Sequence, residues 1–468
     1  MPSNDKLLTV VFINPPGPSK LYRSIVCTFI SKANYIWQPQ DFINLSAQVP
    51  QDYKLRFFDC SVNNITQENL FEEISSCDPI VSVVALSSVI YNDDISFIKS
   101  FRSRFSNIKL LVLGDIFLEK VFWEKGLEYA DGIILNSIDI DLANYIKCGV
   151  SNSPNFIIKN ASLNNKTASR HNGAPQKVSI GIPRHELFVN KKYRFPFVKS
   201  YLYGTVSTQF GCPYHCNYCS WCNISVSYRD YNEVLDEIEK VHNLGIRDLF
   251  FGDPSFGFPR ENAIHLLEGM VRKKFSIRWI CYANPALLDS EILKLMKKAG
   301  CHTVIIGVDD ENLDMLKDKH KRSLSASTLM EFCKECSLLQ IQICGDFIIG
   351  LNSDEMAVNR IVNFAKRLRL DYASFNIFTV LLGSEVRENL IREGKVDPYT
   401  IGFDTSGTFG QRNENLNKLR NMAIKKFYLR TGYLLRRITN ISSFIELKIQ
   451  LEEMVAMFKN HLIKRKNN

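Results

Sequence analysis

No stretch of the 468 residues is apolar for long enough to span a membrane. The N-terminal MPSNDKLLTVVFINPP also lacks the basic, apolar, small-residue order of a secretion signal. The expected compartment is therefore the cytoplasm, with no membrane span. Paired zinc-finger ligands, an RNA-binding aromatic signature and a sustained basic helix are all missing. The net charge of +9 lies partly in the tail KNHLIKRKNN, residues 459–468. It is read as solvated chain ends, and no nucleic-acid partner is expected. Low-complexity segments are absent, as are internal repeats beyond an alternation of strand and helix. What remains is a globular composition, 45% hydrophobic and 23% charged, in a chain too long for one ordinary core.

The first 150 residues alternate apolar, strand-like runs with helix-length segments. The runs are LLTVVFIN (7–14), YKLRFFD (53–59), IVSVVALS (80–87), IKLLVLGD (108–115) and DGIILN (131–136). Such continuous runs suit strands buried on both faces of a parallel, doubly wound sheet. Ligands of these sheets bind at the carboxyl ends of the strands, here Asn14-Pro15-Pro16-Gly17, Ser87-Ser88 and Gly114-Asp115. Residues 151–200 open on a polar, Asn- and Ser-rich stretch and are read as a linker. A second alternation starts at 201, with strands expected at 203–210, 247–254, 278–284, 302–309, 342–350 and 372–380. Helical spacing fills the gaps, which predicts an α/β fold closing on a partial (β/α)6 barrel over 201–400. Residues 401–468 read as a C-terminal helical extension with basic amphipathic helices packed onto the barrel.

Thirteen cysteines in a chain without an export signal do not suggest disulfides. Only one place is dense in them, GCPYHCNYCSWC at 211–222, with Cys212, Cys216, Cys219 and Cys222. A structural zinc site takes two ligand pairs from separated knuckles, whereas all four thiols here crowd one loop. The bacterial ferredoxin run has a different order of spacings and ends in Cys-Pro. A third reading takes Cys212, Cys216 and Cys219 as C-x3-C-x2-C, three thiolates for a [4Fe–4S] cluster with one iron left open. The loop follows the first strand of the barrel, where barrel enzymes carry their chemistry. Cys222 would close the open position, so it is read as a packed thiol. Cys333 and Cys336 lie one helical turn apart and are read as core.

The sequence GCPYHCNYCSW on the first strand–helix loop of a partial barrel resembles the radical S-adenosylmethionine (radical SAM) superfamily. The resemblance implies that Cys212, Cys216 and Cys219 ligate the cluster and that the open iron chelates SAM. An electron from the cluster would then release a 5′-deoxyadenosyl radical, and the protein would supply position and dryness. Tyr218 matches the aromatic position that packs on the adenine. Gly252 and Asp253, in FFGDPSFGF, match the segment that holds the SAM amino group, although Gly-Asp-Pro also makes an ordinary turn. Asp309 stands where relatives carry an acidic residue, usually Glu. Glu355 matches the Gly-rich end of the fifth strand, with Asn352-Ser353 in place of Pro-Gly, and serves equally as a first-turn helix charge.

A doubly wound domain ahead of such a barrel is similar to the cobalamin-binding-domain subgroup. FINPPG, YRSIVCTFISKANYIWQPQDF, the YRFPF lead-in and KKFYLRTGYLLRR carry that resemblance. It implies a Rossmann-like, cobalamin-binding-type first domain, with Ser87, Ser88, Gly114 and Asp115 beside the corrin ring; as ordinary turn residues they would look much the same. It also implies cobalamin as cofactor, a small-molecule substrate and an electron donor such as flavodoxin or ferredoxin. The Asp-x-His-x-x-Gly motif for a lower axial ligand is absent, and the first 150 residues hold no histidine. Three functions follow for comparison: C-methylation of a natural-product intermediate, a radical cyclisation, rearrangement or oxidation without methyl transfer, and a non-enzymatic iron–sulfur sensor.

Overall fold

The computed structural model describes residues 7–18, 21–31, 35–138, 141–151, 153–159, 174–320, 324–351, 355–402, 414–434, 441 and 444–458. The apolar runs of the first domain form a six-stranded sheet. Its strands are β1 (Thr9–Asn14), β2 (Lys54–Asp59), β3 (Pro79–Ala85), β4 (Lys109–Leu113), β5 (Gly132–Ile134) and β6 (Phe156–Ile158). All six residues of β1 are buried, as its unbroken TVVFIN predicts for a central strand with both faces covered. The strand order is β2-β1-β3-β4-β5-β6, so the winding direction reverses between β1 and β3. Helix α1 (Gln40–Ala47) packs on one face, and α2 (Gln67–Cys77), α3 (Tyr91–Arg104) and α4 (Trp123–Tyr129) pack on the other.

The sheet does not stop at residue 150. Strand β6 lies inside the stretch read as linker and pairs antiparallel with β5, Phe156 against Ile134. Only three apolar residues, FII, stand within a polar surround there, too few for a periodicity argument. Their burial against the sheet edge supplies the order that local sequence does not.

The barrel strands are β7 (Gly204–Val206), β8 (Asp248–Phe251), β9 (Arg278–Ala283), β10 (Cys301–Asp309), β11 (Gln342–Ile349) and β12 (Tyr372–Ile377). They lie in sequence order and every pair is parallel. Side-chain oxygens cap several of the helices between them: Asp230 accepts from the Asn232 amide, Asp289 from Ile292 and Ser325 from Thr328. The first strand is shorter than the 203–210 expected. After Val206 the chain leaves the barrel, and Gln209–Phe210 pairs with Ser227–Arg229 in a separate small sheet. The cause is Asp253, which takes the amides of Thr208 and Gln209 at 2.7 and 3.1 Å and so removes them from the ladder.

Cys333 and Cys336 are buried in the barrel's outer core, on the helix Ala326–Leu338. Burial pushes the Cys333 thiol up to about 12. Two described helices of the C-terminal extension, Glu414–Tyr428 and Phe444–Phe458, follow the barrel, the first seating Ala423 and Phe427 in its core. Among the described residues no helix is long and apolar enough to cross a membrane.

Candidate active site

The C-terminal mouth of the barrel opens on a cavity of about 390 Å³. Cys212, Cys216 and Cys219 line one wall of it, together with Tyr218. The loop that carries them is tied down at several points. Gly211 takes φ +88°, and a Cβ there would meet the Ser225 carbonyl oxygen at 2.3 Å, so only glycine makes this approach. The Cys219 amide donates to the Cys216 carbonyl at 3.0 Å, a tight turn that sets the C-x2-C spacing. Asn217 reaches out of the loop, donating its side-chain amide to the Lys319 carbonyl at 3.0 Å.

The fourth thiol goes elsewhere. Cys222 is buried, its Sγ 3.7 Å from the Gly383 carbonyl oxygen, a weak S–H contact to a different loop. It does not line the cavity that the other three share. Burial first, then the charges of Cys216 and Cys212, raise the Cys219 thiol well above its ordinary range. Among the described residues no three His, Cys, Asp or Glu side chains converge on a single metal ion. A cubane cluster takes each thiolate on a different iron, so its ligands need no such convergence.

Tyr218 donates its phenolic proton to Asp309 Oδ2 at 2.8 Å. Asp309 ends β10 in the left-handed region, φ +66°, an uncommon conformation for a residue with a side chain. Gly252 and Asp253 both face inward structure rather than open space. The Gly252 carbonyl accepts from Gln40 Nε2 at 2.8 Å. Both Asp253 oxygens are engaged, Oδ1 by the Thr208 and Gln209 amides and Oδ2 by the Thr208 hydroxyl at 2.6 Å. Burial pushes the Asp253 carboxyl up to about 6 against the pull of those bonds. Pro254 and Ser255, the next two residues, do line the cavity. Glu355 begins the helix Glu355–Arg367, and its side chain, like Asn352 and Ser353, lies outside the described residues.

Of the four strand-end residues of the first domain, Ser88 and Asp115 are bonded to each other. Ser88 donates its amide and hydroxyl to Asp115 at 2.9 and 2.6 Å. Ser87 Oγ accepts from the Val89 amide at 3.0 Å, and Gly114 lies against the Leu86 carbonyl. Burial raises the Asp115 carboxyl above its usual range.

Sequence reasoning missed the cavity's other walls. Cys27, Phe29, Tyr35 and Trp37 come from the segment between β1 and α1 and roof the barrel mouth. Asn284, Asp346, Ser374 and Asn376 come from the barrel strands and their ends. The signal for Asp346 was present: it is the only charge in QICGDFII, a strand whose other residues are mostly buried.

Residues 206–365 match the model of the Radical SAM superfamily. The chain carries a radical SAM domain over that stretch. An uncharacterized methyltransferase of Pyrococcus horikoshii is 23% identical over 462 residues, 94% of this chain and 96% of that protein. The hopanoid C-2 methylase of Rhodopseudomonas palustris is 24% identical over 220 residues, 45% of this chain and 42% of that protein. The chain thus matches one relative over nearly its whole length and spans less than half the length of another. Among solved structures, TsrM from Kitasatospora setae, with cobalamin and a [4Fe–4S] cluster bound, superposes with a TM-score of 0.61 at 17% identity. The match covers 82% of this chain and 78% of TsrM. OxsB, with aqua-cobalamin and SAM bound, also gives 0.61, at 14% identity over 97% of this chain and 72% of OxsB. At those identities the likeness is one of fold, and it extends to the first domain as well as the barrel.

Proposed function

We propose that the chain is a cobalamin-dependent radical SAM methyltransferase acting on a small molecule. The observation that carries this reading is the convergence of Cys212, Cys216 and Cys219 on the barrel-mouth cavity, with Cys222 turned away to Gly383. Three thiolates and no fourth suit a [4Fe–4S] cluster that keeps one iron open to a ligand. Bound, the cluster supplies the electron that cleaves SAM, and cobalamin carries the methyl group.

The chain's own residues divide the remaining work. Asp253 positions the loop by holding Thr208 and Gln209 just ahead of the first cysteine. Tyr218, fixed by Asp309, offers a ring face to an adenine. Asn284 is more than nine-tenths buried and lines the cavity; its Oδ1 accepts from the Ala286 amide, while its Nδ2 has no hydrogen-bond partner. An orphaned buried donor of this kind suits an acceptor on a bound cofactor, such as the SAM carboxylate. Trp37, Phe29 and Tyr282 line the same cavity and make part of its wall apolar.

For cobalamin, support comes from placement. Ser87, Ser88, Gly114 and Asp115 sit at the carboxyl ends of β3 and β4, where doubly wound sheets bind ligands. The relatives named as methyltransferases point the same way. In this arrangement the gaps between those strand ends and the cysteine loop measure only about 20 and 30 Å³. Val26, Cys27 and Thr28 line the first of these gaps together with Ser88 and Asp115. A flavodoxin- or ferredoxin-type protein is the proposed electron source.

The test is metal content after anaerobic purification, cluster rebuilding and supply of hydroxocobalamin. Roughly four irons and one cobalt per chain support the proposal. Iron without cobalt leaves radical SAM chemistry standing and removes methyl transfer. Iron retained by Cys212→Ala, Cys216→Ala or Cys219→Ala overturns the ligand assignment.

A further inference from the structure

The helix Phe444–Phe458 has two unlike faces. At about 100° per residue, positions 446, 449 and 453 share one side, and 444, 448, 451 and 455 share the opposite one. The first side packs inward. Ile449 is buried, and Glu446 pairs with Lys199 Nζ at 3.7 Å. Burial, then the charge of the half-buried Glu453, hold the Tyr35 phenol above its ordinary range, and Tyr35 lines the barrel-mouth cavity. The helix therefore lies against the outside of the cavity's roof.

The opposite side is apolar and uncovered by any described residue. Phe444 is 79% exposed, and Ile445, Leu451, Met454 and Val455 are exposed with it. Phe444, Leu447, Leu451 and Val455, together with Lys448 and Glu452, line a surface groove of about 350 Å³. Single exposed apolar residues are ordinary, but a contiguous stripe of them marks a docking surface.

Charge argues for the occupant. Residues 414–468 hold twelve lysines and arginines against four glutamates, which is eight of the chain's net +9. Residues 459–468, next after the helix, hold four of the twelve and no acidic residue. A second copy of the same segment would set like charge against like. An anionic lipid surface takes both features at once, the apolar stripe among its acyl chains and the basic residues at its headgroups.

We propose that the helix Phe444–Phe458, with the basic residues that follow it, docks the protein peripherally on an anionic membrane surface, the stripe of Phe444, Leu451 and Val455 entering the lipid. Docked in this way, the protein holds the roof of its barrel-mouth cavity next to the membrane. The proposal goes beyond the radical SAM reading and does not depend on it.

The test is cosedimentation of the cluster-loaded full chain with vesicles, of phosphatidylcholine alone and of phosphatidylcholine containing one quarter phosphatidylglycerol. Partition into the anionic vesicles is expected to be at least about tenfold stronger, and the difference should shrink to within about threefold at roughly 0.5 M salt. Phe444→Ser with Leu451→Ser should weaken partition into the anionic vesicles at least about tenfold. Both side chains are exposed, so the melting temperature of that variant should match the wild type. Lys464→Gln with Arg465→Gln and Lys466→Gln removes charge without touching the helix, and should cost most of the preference for phosphatidylglycerol. Equal partition into both vesicles, partition into neither, or wild-type partition by the Phe444 and Leu451 variant overturns the proposal. So does a lipid-free dimer, seen by sedimentation velocity, that the same variant dissociates, because the stripe then belongs to a second copy. A lowered melting temperature in that variant overturns it too, because the stripe is then part of the chain's own core.

Discussion

Gln40, at the start of α1 in the first domain, donates its side-chain amide to the carbonyl of Gly252 at the end of β8 in the barrel, 2.8 Å away. The same amide reaches Ser207 Oγ at 3.0 Å. One side chain thus joins the two domains beside the cysteine loop. A Cβ on Gly252 would lie 2.4 Å from Gln40 Oε1, so any larger residue must push Gln40 out. Gly252→Ala is expected to cost about 1–3 kcal/mol in urea unfolding, through overpacking and two lost hydrogen bonds. Adding Gln40→Ala should recover part of that loss by making room. A double variant as unstable as the sum of the singles would show that the two residues act separately.

Asp253 makes a pH prediction. Its folded carboxyl is raised by burial to about 6, from an ordinary value of 3.8. Below the ordinary value both folded and unfolded states hold the proton, and the group costs nothing. As pH rises towards and through 6, the unfolded chain gives up its proton more readily, and folding loses stability. The loss approaches about 3 kcal/mol at neutral pH. Asp253→Asn can keep the pattern, its oxygen accepting from the Thr208 and Gln209 amides and its NH2 donating to the Thr208 hydroxyl. It should therefore gain stability relative to wild type between pH about 4 and 7, whereas Asp253→Ala should lose stability throughout and load less iron. Thermal melts across that range, with iron assays, check both.

Much of this architecture was legible because burial on two faces leaves a plain signature. The central strand β1 and the barrel strands are apolar runs that need no partner to be recognised. That Cys212, Cys216 and Cys219 meet at the barrel mouth was legible from their spacing together with their place after the first barrel strand. Three features were not. Strand β6 has only Phe156, Ile157 and Ile158, and its order comes from pairing with β5. The short β7 depends on Asp253, 45 residues further on, capturing the Thr208 amide. The roof of Phe29, Tyr35 and Trp37 depends on how two domains dock, which no local pattern encodes. Gly252 and Asp253 were located correctly as a strand end, while their hydrogen-bond partners are long-range.

Arg387 and Glu119 form a second link between the domains. The guanidinium, fully buried, donates from Nε and Nη2 to the two oxygens of Glu119 at 2.7 and 3.2 Å. Nη2 also donates to the Pro398 carbonyl at 2.9 Å. Removing Glu119 alone leaves a buried cation uncompensated, and Glu119→Ala should destabilise by about 3–5 kcal/mol. Arg387→Met combined with Glu119→Leu should recover most of that, because an apolar pair carries no desolvation cost. Denaturant unfolding of the two singles and the double gives the coupling. A Glu119→Ala variant within about 0.5 kcal/mol of wild type would mean that the bond contributes nothing.

The last prediction concerns Tyr218 and Asp309, which share one hydrogen bond of 2.8 Å at the cysteine wall. Neither is a cluster ligand in the proposed assignment, so iron content should be unchanged in Tyr218→Phe and in Asp309→Asn. What each should lose is the fixed orientation of the Tyr218 ring. A hydrogen bond to a carboxylate contributes about 1.5–3 kcal/mol, and only part of that reaches a ligand bound to the ring. SAM affinity, read by equilibrium dialysis on the cluster-loaded protein, is expected to fall about tenfold in either variant. The double variant should be no weaker than the worse single, since the two changes break the same bond. Tyr218→Ala removes the ring as well and should be weaker than Tyr218→Phe. Wild-type SAM affinity in Tyr218→Ala would place the adenine elsewhere, and additive losses in the double variant would give Asp309 a contact of its own.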